Sequence, residues 1–210
     1  MGSIPTAARR FFHARFSKKI PRSRRGFSLI ELLLVLGVIA ILLVAAFVIY
    51  PRVRTTNQVN AEATNIAAIQ ANVRTMMATT NGQYSVVGSD AVTTTATMNN
   101  ARVFPAGMNS GNYEGSEIRN VWGGAVSIRA TTVTHSTLLA GRGFSINYDD
   151  VPSDACVELI TRTMKNFYAV QVVYGSTGNN IYPDREATTV DLIVSRCTGA
   201  ATGTIRFIST

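Results

Sequence analysis

The sequence predicts an α+β protein in which one long N-terminal helix packs on an antiparallel β-sheet. Three observations carry that reading. Residues 32–50 are nineteen consecutive uncharged positions, the segment after them repeats apolar residues every three and four positions, and the C-terminal half holds short runs that alternate apolar with polar. Nineteen helical residues extend about 28 Å at about 1.5 Å each, enough to cross the hydrocarbon of a bilayer. A membrane segment is therefore expected over 27–50.

Before it lies a basic leader, residues 1–26. It holds Arg9, Arg10, Arg15, Lys18, Lys19, Arg22, Arg24 and Arg25 and no acid, which accounts for the whole formal charge of +8. The remaining 184 residues carry 12 basic and 12 acidic side chains, so bulk charge predicts no nucleic-acid footprint in the folded part. The same asymmetry orients the span, since only Arg52 and Arg54 closely follow it. The N-terminus is expected in the cytoplasm and everything after Pro51 outside it. A topology signal that is later discarded fits the leader, as does a segment lying on an anionic membrane face.

The span opens Arg25-Gly26-Phe27-Ser28-Leu29-Ile30-Glu31. A carboxylate in lipid is costly unless it is paired, so Glu31 is read as functional, with an ammonium group as its natural partner. Cleavage between Gly26 and Phe27 would create one, four residues upstream and within a helical turn. Gly37 interrupts the span and Pro51 ends it; both weaken helix continuity. Two competing readings remain. Val44-Ala45-Ala46 fits the small-residue pattern of a secretory signal, which would start the exported chain near Phe47, and a signal anchor could stay uncut.

Residues 25–31 and the apolar stretch behind them resemble the class III signal of type IV prepilins. The resemblance implies a type IV pilin fold, cleavage after Gly26 by a membrane-embedded prepilin peptidase, and methylation of the new amine on Phe27. It also implies that Glu31 neutralises the terminus of a neighbouring subunit during assembly, and that Gly37 and Pro51 let the helix bend or locally melt in a filament. Close packing of helices in the membrane is the alternative for Gly37. The implied partners are other copies of the chain in a helical pilus, the prepilin peptidase, and an inner-membrane assembly platform with its ATPase. The membrane itself is the partner before assembly. The prepilin is expected in the inner membrane with its head outside the cytoplasm, and the assembled pilus outside the cell.

Over 51–82 an amphipathic half-helix is expected. Val59, Ala63, Ile66, Ile69 or Gln70, Val73, Met76 and Met77 fall on one face, leaving Asn57, Glu62, Asn65, Asn72 and Arg74 for the others. Asn81-Gly82 is its stop. Both halves together make one helix over 27–80, about 80 Å long. The globular head, 83–210, begins with a Gly-, Ser-, Thr- and Asn-rich stretch to residue 120 that reads as a loop with one short helix or strand. Strands are expected at 125–130, 143–148, 168–174, 189–195 and 204–208. A helix is expected over 153–166, with Val157, Ile160, Thr161 and Met164 turned inward. Trp122, followed by two glycines, reads as a core anchor at a tight turn.

Cys156 and Cys197 are the only cysteines, and in an exported domain they predict a single disulfide. No C-x-x-C or Cys/His spacing points to a metal, and no cofactor is expected. Type IV pilins carry such a C-terminal disulfide loop. Asn120-Val121-Trp122-Gly123-Gly124-Ala125-Val126 and Val151-Pro152-Ser153-Asp154-Ala155-Cys156 resemble the type IVb subgroup, including subunits of conjugative thin pili.

His135 stands in a Thr-rich stretch without any G-x-S-x-G, H-E-x-x-H, P-loop or G-x-G-x-x-G pattern around it, and the chain is not expected to be an enzyme. Asp149-Asp150 and Asp184-Arg185-Glu186 read as solvated loops, with calcium or a neighbouring subunit as alternatives. The expected function is that of a structural pilus subunit serving adhesion, aggregation or conjugative mating. A minor pilin, a type II secretion pseudopilin, or a signal-anchored binding module such as an adhesin or DNA-uptake receptor is the alternative.

Overall fold

A computed structural model describes residues 26–84, 90–108, 118–131, 141–175, 178–182 and 188–210. The leader before Gly26, His135 and Asp184-Arg185-Glu186 lie outside the described residues. The described residues from Ala46 onward form one compact unit, and those of 26–45 another.

Helix α1 runs over Leu29–Met77. Its residues up to Ala45 are exposed without exception, and they are apolar on every face. Such a helix has no wet side, so it needs lipid or protein all round it. In the second unit the same helix becomes one-faced. Val59, Ile66, Ile69, Val73 and Met77 are buried, while Asn57, Asn72 and Arg74 are exposed. A short 3₁₀ turn, Ala78–Thr80, leads to Asn81 at φ 53° and Gly82 at φ 69°, and this left-handed pair ends the helix where the sequence places its stop.

The sheet has five antiparallel strands, β1 (Val126–Ala130), β2 (Phe144–Pro152), β3 (Ala169–Val173), β4 (Gly178–Tyr182) and β5 (Thr202–Ser209), in the order β1-β2-β5-β3-β4. Cross-strand register fixes the inner face: Ile128 opposes Ile146, Ile146 opposes Phe207, and Phe207 opposes Val170. All four are buried in the core that also contains the inner face of α1. Phe207 is central, with Tyr148 edge-on at 6.2 Å and Phe167 at 5.0 Å between ring centroids. The opposite face carries a polar row. Arg206 donates to Asn147 Oδ1 (2.9 Å) and Gln171 Oε1 (3.0 Å), and Asn147 donates to Ser127 Oγ (3.2 Å).

Helix α2 (Ala91–Asn100) lies within the stretch expected to be mostly loop. It has no apolar stripe for periodicity to detect, but Asp90 caps it by accepting from Thr93 N at 2.8 Å. Its Thr95 Oγ1 accepts from Ile128 N at 3.0 Å, so α2 satisfies an edge donor of β1. Helix α3 (Ser153–Thr163) continues as a 3₁₀ turn through Asn166. Its inward residues are Ala155, Cys156, Leu159, Ile160 and Thr163, so the expected inward face was rotated: Thr161 is exposed and Val157 only partly buried.

One strand assignment is wrong. Residues 189–195 do not form a strand but enter helix α4 (Val190–Cys197), and β4 takes the remaining place in the sheet. The β-branched run Thr-Val-Asp-Leu-Ile-Val imitates strand alternation. However, Thr189 caps the helix by accepting from Leu192 N at 3.3 Å, Asp191 lies in the first turn, and the buried pair Ile193 and Cys197 is spaced by four. β4 contributes one described buried apolar side chain, Ile181, too little for a sequence pattern.

The disulfide joins Cys156 on α3 to Cys197 on α4 across a sequence separation of 41. In the chain-entropy account a loop of that size contributes roughly 4 kcal/mol by restricting the unfolded chain. Replacing both cysteines by serine should lower the unfolding free energy of the detergent-solubilised chain by roughly that amount. Denaturant titration of the two proteins checks it, and an unchanged midpoint would show that the staple contributes nothing.

Candidate functional site

Two sets of residues stand out, one at the start of α1 and one inside the head. Gly26, Phe27 and Ser28 precede the helix, whose first turn is closed by Leu32 N donating to Ser28 O at 3.1 Å. Phe27 is 82% exposed, and Glu31 is exposed in the first turn. An acidic residue in the first turn of a helix is favoured by the helix dipole. The chain thus places Phe27 and Glu31 at one end of a helix with no other charge before Arg52.

A Cβ built on Gly26 or on Gly37 meets nothing within 4 Å, and neither residue has positive φ. Nothing inside the described chain requires glycine at either position. Pro51 lies inside α1 and supplies no N–H for the Phe47 carbonyl, yet the helix continues through it, with Thr55 Oγ1 donating to Pro51 O at 3.2 Å. Cys156 and Cys197 are bonded to each other, at the far side of the sequence from these positions.

The second set centres on Glu62, which the sequence reading assigned to an outer face of the helix. That assignment fails: Glu62 is 2% exposed. Position 62 is three residues after Val59 and four before Ile66, so it shares their stripe, and that spacing was the available signal. Glu62 Oε1 accepts from Val121 N at 2.7 Å and Oε2 from Asn65 Nδ2 at 3.3 Å, while the buried Tyr148 hydroxyl donates to Met108 Sδ at 3.9 Å. Burial pushes the Glu62 carboxyl above its ordinary range, and the Val121 and Asn65 donors offset part of the effect. Burial likewise pushes the Tyr148 hydroxyl well up, with the Glu62 charge adding to it.

Glu62 thereby holds the turn after Asn120. Asn120 Oδ1 accepts from Trp122 N and Gly124 N, both at 3.0 Å, and its Nδ2 donates to Asp149 O at 2.7 Å. Gly123 has φ 90°, and a Cβ on Gly124 would overlap the Asp149 carbonyl, which explains the paired glycines. Trp122 is partly buried against the core. Asp149 and Asp150 form a bulge in β2, in which Asp149 Oδ1 accepts from Thr204 Oγ1 at 2.7 Å and Asp150 sits at φ 53°. Among the described residues no group of three or more His, Cys, Asp or Glu could hold a metal.

An apolar N-terminal helix carrying one early carboxylate, continued as the spine of a disulfide-stapled antiparallel head, defines a type IV pilin. Comparison with known proteins agrees. The family model described as PilS N terminal matches residues 56–210, and the one described as prokaryotic N-terminal methylation motif matches residues 21–47. The chain belongs to the PilS N terminal family; it is a type IVb-like prepilin and a structural subunit of a pilus. Its apolar helix and methylation motif fit an inner-membrane-anchored precursor and an extracellular pilus.

TcpA, a type IV pilin from Vibrio cholerae El Tor biotype, shares the fold: 16% identity, TM-score 0.51, covering 73% of this chain and 99% of that one. A crystal structure of a type IVb pilin from Salmonella typhi is 19% identical over 69% of this chain and 96% of that one, TM-score 0.48. The NMR structure of type IVb pilin (PilS) from the same organism is 24% identical over 71% and 94%, TM-score 0.40. No curated protein matches the chain.

Because the folded value of Glu62 lies above its unfolded one, its contribution favours folding at acid pH and is lost as pH rises through the folded value. Glu62→Gln keeps an acceptor for Val121 N and should remove that dependence. Its stability should gain on the wild type as pH rises above about 4, the ordinary carboxylate value, as read from unfolding curves. Glu62→Leu should instead cost about 1–3 kcal/mol by leaving the Val121 N–H unpaired.

Proposed function

We propose that this chain is the major subunit of its pilus and that it matures by loss of residues 1–26. In this reading the prepilin peptidase cuts between Gly26 and Phe27, and the amine of Phe27 is methylated. Residues 27–50 form the membrane-spanning and then filament-core half of the helix, 51–82 its amphipathic half, and 83–210 the head. The assembly platform and its ATPase draw the subunit from the bilayer, and Glu31 pairs with the amine of a neighbouring copy.

The observation that carries this reading is the all-round exposure of the apolar helix from Leu29 to Ala45, in which Glu31 is the only charge. Leaving lipid for a sheath of identical helices changes little hydrophobic energy, because lipid tails are as apolar as leucine. Register then depends on the few charges, since a carboxylate and an ammonium left unpaired in such a medium are strongly disfavoured. Gly26 supports the cleavage assignment, as no contact within the described chain calls for a glycine there. Gly37 and Pro51 are the positions at which the helix yields when it is packed.

Electron microscopy of cells expressing the chain should show fibres made mainly of it. Glu31→Ala should still be processed but should leave fibres rare or absent, and abundant fibres from that variant would defeat the pairing role. Gly26→Val should accumulate as the full-length precursor in the membrane fraction. A processed product from it, seen by gel mobility and mass, would contradict the cleavage assignment.

A further inference from the structure

One groove in the head is not accounted for by the N-terminal motif. It has a volume of about 690 Å³ and opens between α1 and the turn held by Glu62 and Asn120. Tyr50, Arg54 and Gln58 line one side, Val121 and Trp122 the other, and Asp150 contributes from the β2 bulge. A smaller groove of about 330 Å³, lined by Arg52, Asp154 and Glu158 among others, flanks the same turn of α1.

We infer that in the filament the larger groove is occupied by a second copy of this chain, with Trp122 as its anchor. This rests on the pilus reading above and goes beyond it by assigning a subunit contact to the head. Four observations support it. Trp122 is the only tryptophan; part of it packs on the core and the rest lines the groove, the half-wet placement of an interface aromatic. Arg54 and Asp150 both line the groove, yet among the described residues neither has an ion pair or a side-chain hydrogen bond, the one ion pair there being Arg162 with Glu158.

The groove wall is also pre-formed. Asp150 is held at positive φ in a bulge whose neighbour Asp149 is fastened to Asn120 and Thr204, and Val121 is fastened to Glu62. Binding there orders little that is not already ordered. Finally, the groove is continuous with apolar surface that assembly must cover: Phe47, Val48, Ile49 and Tyr50 are 78%, 69%, 59% and 69% exposed, and Tyr50 belongs to both. A copy that covers these residues arrives at the mouth of the groove. The residues after Gly26 carry equal numbers of acids and bases, so net charge does not oppose the approach.

Two measurements on the chain as cells process and assemble it test this. A benzoylphenylalanine placed at Gln58 and irradiated in sheared filaments should give covalent dimers of this chain. Monomers alone, or an adduct to a different protein or a small molecule, would overturn the assignment. In the unmodified protein, Trp122 emission should shift to the blue and acrylamide quenching should fall when subunits in lipid nanodiscs are compared with filaments. Equal emission and equal quenching in the two states would overturn it as well. If filaments form and Trp122 stays wet, the groove assignment fails alone; if the wild-type chain makes no filaments, the pilus reading fails first.

Discussion

An apolar surface that runs around a whole helix can never face water, and this constraint organises the molecule. From Leu29 to Ala45 the helix has no polar side to turn outward, so its surroundings change only by exchanging one apolar cover for another. Lipid and a sheath of like helices are nearly equivalent covers, which makes transfer between them energetically cheap. What distinguishes the two is the treatment of charge. Glu31 is the one ionisable side chain in the segment, and its position at the helix start fixes where a compensating charge must lie.

The same helix meets the opposite requirement once it reaches the head. There Val59, Ile66, Ile69, Val73 and Met77 face the sheet, and polar residues of the same helix tie loops and strand ends to it. Gln70 donates to Ser209 Oγ and to Asn166 O, Arg74 to Thr210 O, and Asn72 to Val103 O. The head is thus fastened along the helix by a core and by hydrogen bonds. Glu62 adds an ionisable acceptor within the apolar stripe, where it holds the 120–124 turn at the cost of burying a carboxyl. That turn also forms one wall of the groove lined by Trp122, so folding of the head and shaping of its surface depend on the same contact.

Much of this was legible in the sequence, and the exceptions share a cause. The apolar span, the stop at Asn81-Gly82, the disulfide pair and four of the five strands follow from length, alternation and turn chemistry, signals that do not depend on distant partners. Helix α4 imitates a strand because Val190, Ile193 and Val194 are β-branched, while the features that decide it are a threonine cap and a cysteine bonded to α3. Helix α2 leaves little trace in the sequence because its buried face sets Met98 among Thr94, Thr95 and Asn99, and β4 because Ile181 is its one described buried apolar residue. Glu62 reads as an outer residue because charge normally outweighs position, whereas here two donors, from Val121 and Asn65, compensate it. The N-terminal residues, by contrast, were readable as a motif, yet Gly26 and Gly37 have no partner within the described chain that would explain them.

The filament core therefore depends on where the exported chain begins. The most direct measurement is the N-terminal sequence and mass of the chain in filaments sheared from the cell surface. A chain starting at Phe27, with or without a methyl group on its amine, keeps the whole apolar helix and Glu31 in the fibre, as the account predicts. A chain starting near Phe47 would have lost both, and no filament core of this kind could be built from it.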